Sequence, residues 1–168
     1  MSGDNCPRTG QPPGWLVYAI LLGLYLSARG YHSFDGDQAY RIPLLLHQQD
    51  PKLYAGDPFI QAIDAFNPHR GWLLVLDLVT RPLGLSFGLF LLFVLTFAAT
   101  CLGLDRLARG IWPKLPPGTG LAAVALVLAA KAGNIGTNHI FEAMVLDRQI
   151  AFALGWLALA QLDRKSVV

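Results

Sequence analysis

A chain of 168 residues with 54% hydrophobic and only 14% charged residues, mean hydropathy +0.43 and net charge +2, lies outside the composition of ordinary soluble domains, about a quarter of whose residues are charged. It reads as an integral membrane protein, and its scattered basic residues form no stripe for nucleic acid. Cys6 and Cys101 stand apart, one in a polar tail and one in an apolar run, which argues against a disulfide or a structural zinc site.

Residues 1–14 are polar and rich in Pro and Gly, and predict a disordered cytoplasmic tail. The run WLVYAILLGLYLSA, residues 15–28, extended by a turn through Tyr31, predicts the first span over 15–31. Alone it is short of the roughly 20 residues that cross a bilayer, and its Leu-Ser-Ala end also fits signal-peptide cleavage. The single basic residue of the tail, Arg8, and the further apolar runs downstream favour the span.

Residues 33–71 form a long outer loop in which Asp50-Pro51, Asp57-Pro58 and Asn67-Pro68 each favour starting a turn or helix. This predicts short interfacial helices over Gln38–Gln49 and 59–64, with Tyr40, Tyr54, Phe59 and Phe66 at the membrane surface. Residues 72–82 hold Asp77 among apolar side chains and end at Arg81-Pro82. An interfacial or re-entrant helix suits them, because a mid-membrane carboxylate costs about 2.5–3.5 kcal/mol.

Residues 83–104 carry no charge and predict the second span. Arg106, Arg109 and Lys114 mark 105–117 as a cytoplasmic connection, which places the N-terminus inside. Residues 118–132 then return outward with Lys131 at their end, 133–148 form a second outer loop, and 149–162 make a fourth span before Asp163-Arg164-Lys165. The predicted fold is therefore all-α, a polytopic transmembrane helical protein of about four spans.

Polar residues at the outer ends of these spans are the candidates for function. Asp35-Gly36-Asp37 sets two carboxylates just outside the first span, where acids bind a divalent cation, act as a general base, or cap the next helix. Asp37, directly before the helical pattern, fits the cap. His69-Arg70 closes the loop where cations meet lipid phosphates or a bound ligand. In the second loop His139 and Glu142 share a helical face at i,i+3, which is half of a metal site at most. Arg148, at the head of the last apolar run, either meets a phosphate from the lipid side or pairs with Asp147.

The segments FDGDQAYRIPLLL, DPKLYAGDPF, FNPHRG and HIFEAMVLDRQIAFALG resemble the N-terminal part of glycosyltransferases of the C-type fold and bacterial membrane proteins related to them. Those multi-spanning enzymes transfer sugars from polyprenyl-phosphate donors on the outer face. The resemblance implies that an acid of the first outer loop, here Asp37 or its neighbour Asp35, activates the acceptor; the family's usual acidic pair stands as Asp37-Gln38. It implies that outer basic residues hold the lipid phosphate, with Arg41, His69, Arg70 and Arg148 in those places and His139 and Glu142 beside them. It requires no particular cofactor and admits a divalent cation, whose ligands it leaves open. It also implies a multi-pass protein of the bacterial inner membrane, in contact with membrane lipid, and, because the family's members are longer, an N-terminal piece of one. Two other classes remain. A transporter would place charges mid-span at broken helices, whereas these lie in loops; a small four-helix subunit would use the outer loop to dock a partner protein.

Overall fold

The structure, a computed structural model, describes residues 14–114, 119–129 and 141–165. Over these residues it is all-helical: α1 (Gly14–Arg29), α2 (Gln38–Gln49), α3 (Pro58–Ala65), α4 (Arg70–Leu83), α5 (Leu85–Ile111), α6 (Thr119–Ala129) and α7 (Asp147–Lys165), with no strand among the described residues. The predicted tail, Lys131, His139 and the first part of the second outer loop lie outside the described residues.

The body is organised around α5, whose 27 residues extend about 40 Å. Among the described residues it is the one helix long and apolar enough to cross a membrane, and α1 is a shorter apolar helix. Helices α7, α6 and α4 pack against α5, α7 most extensively. Gly103 makes the α5–α7 approach possible, because a Cβ there would lie 2.8 Å from the Cβ of Trp156. Leu89, Phe93, Phe97 and Cys101 recur every four residues as a buried stripe on α5. Tyr25 from α1 and Phe141 close an aromatic group over it, with the Phe141 ring 5.5 Å from Phe93 and 5.4 Å from Phe97.

The run predicted as a span over 83–104 differs at both ends. Gly84, at a φ of 81° that favours glycine, separates α4 from α5, so Leu83 belongs to α4. At the other end α5 continues to Ile111, so the expected cytoplasmic connection begins only at Trp112. Asp105 and Arg109, one turn apart and 2.7 Å from each other, extend the helix, and Trp112 ends it because the residue before Pro113 disfavours helical geometry.

The loop helices follow their predicted punctuation. Helix α2 has the predicted bounds, and α3 begins at Pro58, where the Asp57 carboxylate accepts the N–H groups of Phe59 at 2.8 Å and Ile60 at 3.3 Å. The segment expected to be interfacial is α4. Its Leu73, Leu76 and Thr80 are buried against the body, while Leu74, Val75 and Leu78 face outward. Asp77 is satisfied there, accepting from Gln49 Nε2 at 2.8 Å and Arg81 Nε at 3.2 Å.

Candidate functional site

The site begins in the turn between α1 and α2. Phe34 takes a left-handed φ of 68°, uncommon for a residue with a Cβ, and its N–H donates to Gln38 Oε1 at 3.1 Å. Gln38 in turn donates its Nε2 to the Val145 carbonyl at 3.0 Å, and His32 N donates to the Ala143 carbonyl at 2.7 Å. These bonds clamp the turn onto the segment that precedes α7. The chains are close enough that a Cβ at Gly36 would meet Met144 Cε at 3.2 Å.

Asp37 follows that turn, and it corrects the capping expectation: it occupies the N-cap position of α2 but its side chain makes no cap bond. Capping needs non-helical backbone angles, and Asp37 is already helical at φ −62°, ψ −19°. Its carboxylate instead faces two cations, Arg148 Nη1 at 3.6 Å and Arg41 Nη2 at 3.9 Å.

Arg41 is the buried anchor of the cluster, its side chain only 6% exposed. It donates Nη1–H to Asp147 Oδ1 at 2.8 Å and Nε–H to Tyr40 Oη at 3.1 Å. The other oxygen of Asp147 lies 3.6 Å from His69 Nδ1, and Oδ1 also accepts the Arg148 backbone N–H at 2.9 Å. Burial works against the Asp147 carboxylate, but the bond and charge of Arg41, the Arg148 amide and His69 outweigh it, so its pKa is held below the ordinary value. Burial likewise opposes the Arg41 charge, and its bonds to Asp147 and Tyr40 more than restore it.

Arg148 is held more loosely. Its Nη2 stands 3.4 Å from Glu142 Oε1 and its Nη1 faces Asp37, whereas its Nε is buried with no hydrogen-bond partner among the described residues. Gln149 ties the head of α7 down, accepting from Leu146 N at 3.1 Å and donating to the Glu142 carbonyl at 3.0 Å. Phe141, next to Glu142, packs on Phe93 and Phe97, roughly 12 to 18 Å along α5 from its first residue. The cluster therefore joins α2, the residue before α4 and the segment that leads into α7.

Five of the residues singled out from the sequence meet here: Asp37, Arg41, His69, Glu142 and Arg148. Two others, Asp35 and Arg70, do not. Asp35 accepts the Gly36 N–H at 2.7 Å and stays in its own turn. Arg70 lies with Gln48, Asp64, Phe66 and Asn67 in a separate groove of about 580 Å³ and forms no ion pair among the described residues. His139 lies outside the described residues. The sequence reading missed Asp147 as the hub, offering it only as a partner for Arg148; nothing local announces a bond to Arg41 across 106 positions. No group of three or more His, Cys, Asp or Glu side chains among the described residues is arranged to hold a metal ion.

Chemically, the cluster offers a carboxylate reachable from solvent, Asp37 at 42% exposure, beside a guanidinium whose Nε has no hydrogen-bond partner among the described residues. Comparison of the chain with protein-family models, with curated proteins and with solved structures found no match.

Proposed function

We propose that this chain is a multi-pass membrane protein that handles a polyprenyl-phosphate sugar at the Asp37–Arg148 cluster, as the N-terminal part of a C-type-fold glycosyltransferase of the bacterial inner membrane. In this reading α1, α5, α6 and α7 cross the bilayer with the N-terminus inside, and α2 to α4 lie at the outer face. The observation that carries it is the pairing of Asp37 with Arg148: a half-open carboxylate 3.6 Å from an arginine whose Nε has no hydrogen-bond partner among the described residues. The planar fork of a guanidinium with an unused donor can give two parallel hydrogen bonds to two oxygens of a phosphate.

The chemistry divides between these groups. The Asp37 carboxylate accepts the proton of an acceptor hydroxyl, whose oxygen attacks the anomeric carbon of the donor. The bond from that carbon to the phosphate oxygen breaks, and the electron pair leaves with the polyprenyl phosphate. Arg148, with His69 when protonated, stabilises the charge that develops on the phosphate. Arg41 holds Asp147 and through it the position of His69. Arg70, exposed in its own groove, drops out of the phosphate role.

The test is titration of the detergent-solubilised full chain with a polyprenyl phosphate. Arg148→Gln is expected to weaken binding about tenfold or more, the loss of a charge-assisted hydrogen bond. Asp37→Asn is expected to keep that binding and, in a complete enzyme containing this segment, to abolish sugar transfer at unchanged abundance. Absence of polyprenyl-phosphate binding by the unaltered chain would refute the proposal and favour a subunit that docks a partner protein through the same loop.

A further inference from the structure

We propose that the C-terminal end of α5 carries a second site, a cleft for the phosphate of an anionic lipid headgroup, formed by Arg106 and Arg109. A cavity of about 360 Å³ lies there, lined by Leu102, Asp105, Arg106, Arg109, Gly110 and Ala160. Gly110 and Ala160 leave the space open because they carry almost no side chain. Leu102, one turn before Arg106, gives the cleft an apolar wall on the side of the apolar run.

The charges in this cleft are unevenly committed. Asp105 is 5% exposed and pairs with Arg109 at 2.7 Å, while its Oδ1 also abuts Gly120 at the start of α6. Both of its oxygens are engaged by Arg109, since Oδ1 also accepts the Arg109 Nε–H at 3.1 Å. Arg106 has no ion pair among the described residues. Two guanidinium groups against one carboxylate leave one positive charge in the cleft, which selects a net-negative headgroup over a zwitterionic one.

Depth points to a lipid as the source of the phosphate. Residues 85–104 are free of charge and rise about 30 Å, the thickness of the hydrocarbon core, so Arg106 and Arg109 emerge where headgroup phosphates lie. Ile111 and Trp112 follow, 53% and 56% exposed, and Trp is a residue of the membrane interface. The continuation of α5 beyond the apolar run therefore has a use: it fixes two arginines, on one helical face, at that level. Basic pockets between membrane helices on the cytoplasmic side hold anionic headgroups by this chemistry.

The experiment uses the full chain in neutral detergent, titrated in parallel with phosphatidylglycerol, phosphatidylcholine and inorganic phosphate, with bound lipid read by native mass spectrometry and stability by thermal unfolding. Phosphatidylglycerol is expected to bind saturably and to raise the unfolding temperature, and the other two are not. Arg106→Gln, which leaves the Asp105–Arg109 pair intact, is expected to weaken that binding about fivefold with no change in the unfolding temperature of lipid-free protein. Lys52→Gln, at an exposed position of the outer loop, is expected to change neither. Equal binding of the two lipids, wild-type affinity in Arg106→Gln, or an equivalent response to inorganic phosphate would each overturn the proposal.

Discussion

Asp147→Asn is the sharpest test of how the cluster is held together. The substitution keeps the shape of the side chain and removes the charge that faces Arg41 at 2.8 Å, leaving a guanidinium that is only 6% exposed with Tyr40 and a distant Asp37 carboxylate. Removing one partner of a fully buried ion pair costs about 3–5 kcal/mol, because the other charge remains buried. Asp147 is 37% exposed, so water already screens part of the attraction, and a loss of about 2 kcal/mol is the better figure. For a chain of this size that corresponds to a fall of about 4–8 °C in Tm. Arg41→Met removes the buried charge itself and leaves Asp147 with His69 and solvent, so its loss is smaller, about 1 kcal/mol. The assay is thermal unfolding of the detergent-solubilised chain for both single variants and the double variant. The double variant is expected to be more stable than the sum of the singles predicts, by about 1 kcal/mol or more. If Asp147→Asn melts within a degree of the parent and the two changes add, Asp147 is not the hub.

The pH response of the same residue has a definite sign. Its folded-state pKa is lowered, so its contribution is complete above the unfolded value of about 3.9 and is lost as pH falls through the folded value. Tm curves of the parent and Asp147→Asn should stay apart near neutrality and converge at the acid end; a gap of constant size would contradict the pairing. Gly103→Ala is expected to destabilise the fold by about 1–3 kcal/mol and so to lower Tm, because its Cβ would meet Trp156 Cβ at 2.8 Å. Gly155→Ala, with nothing within 4 Å of its Cβ, is the matched control, and equal Tm values for the two would refute the close α5–α7 contact.

What the sequence made legible is what short-range physics sets. Asx-Pro pairs carry their helix starts within two or three residues, and Asp57-Pro58 duly opens α3 with its carboxylate on two backbone N–H groups. The uncharged run of α5 is likewise local, a matter of composition. The end of α5 was harder, because the basic residues that suggested a loop are compatible with a helix once Asp105 neutralises Arg109 one turn away. The site was legible as a list of polar residues near span ends and illegible as an arrangement. Arg41 and Asp147 lie 106 positions apart, and the bonds that fix them, Gln38 to Val145 and His32 to Ala143, are of the same range. Asp35 and Asp37 show the limit most clearly: two acids around one glycine, indistinguishable by spacing, of which one is consumed by its own turn and the other faces two arginines.

The balance of charge in the cluster bears on whether it serves as a lock or as a ligand site. A lock would bury its charges and satisfy every donor, since an unpaired buried polar group weakens the structure it is meant to hold. Arg41 meets that description, with a short bond to Asp147 and a second to Tyr40. Arg148 does not: its contacts to Glu142 and Asp37 are 3.4 and 3.6 Å, its Nε has no hydrogen-bond partner among the described residues, and its side chain is 34% exposed. The two arginines therefore divide the work, one fixing the framework and the other keeping donors in reserve. On the proposed function, an incoming phosphate that takes up Arg148 gives its Nε a partner and draws the guanidinium from Asp37, whose carboxylate is then left with Arg41 at 3.9 Å as its cationic neighbour. Under that proposal, occupation of the phosphate position and release of the carboxylate for a proton become a single event, which a docking surface would have no reason to couple.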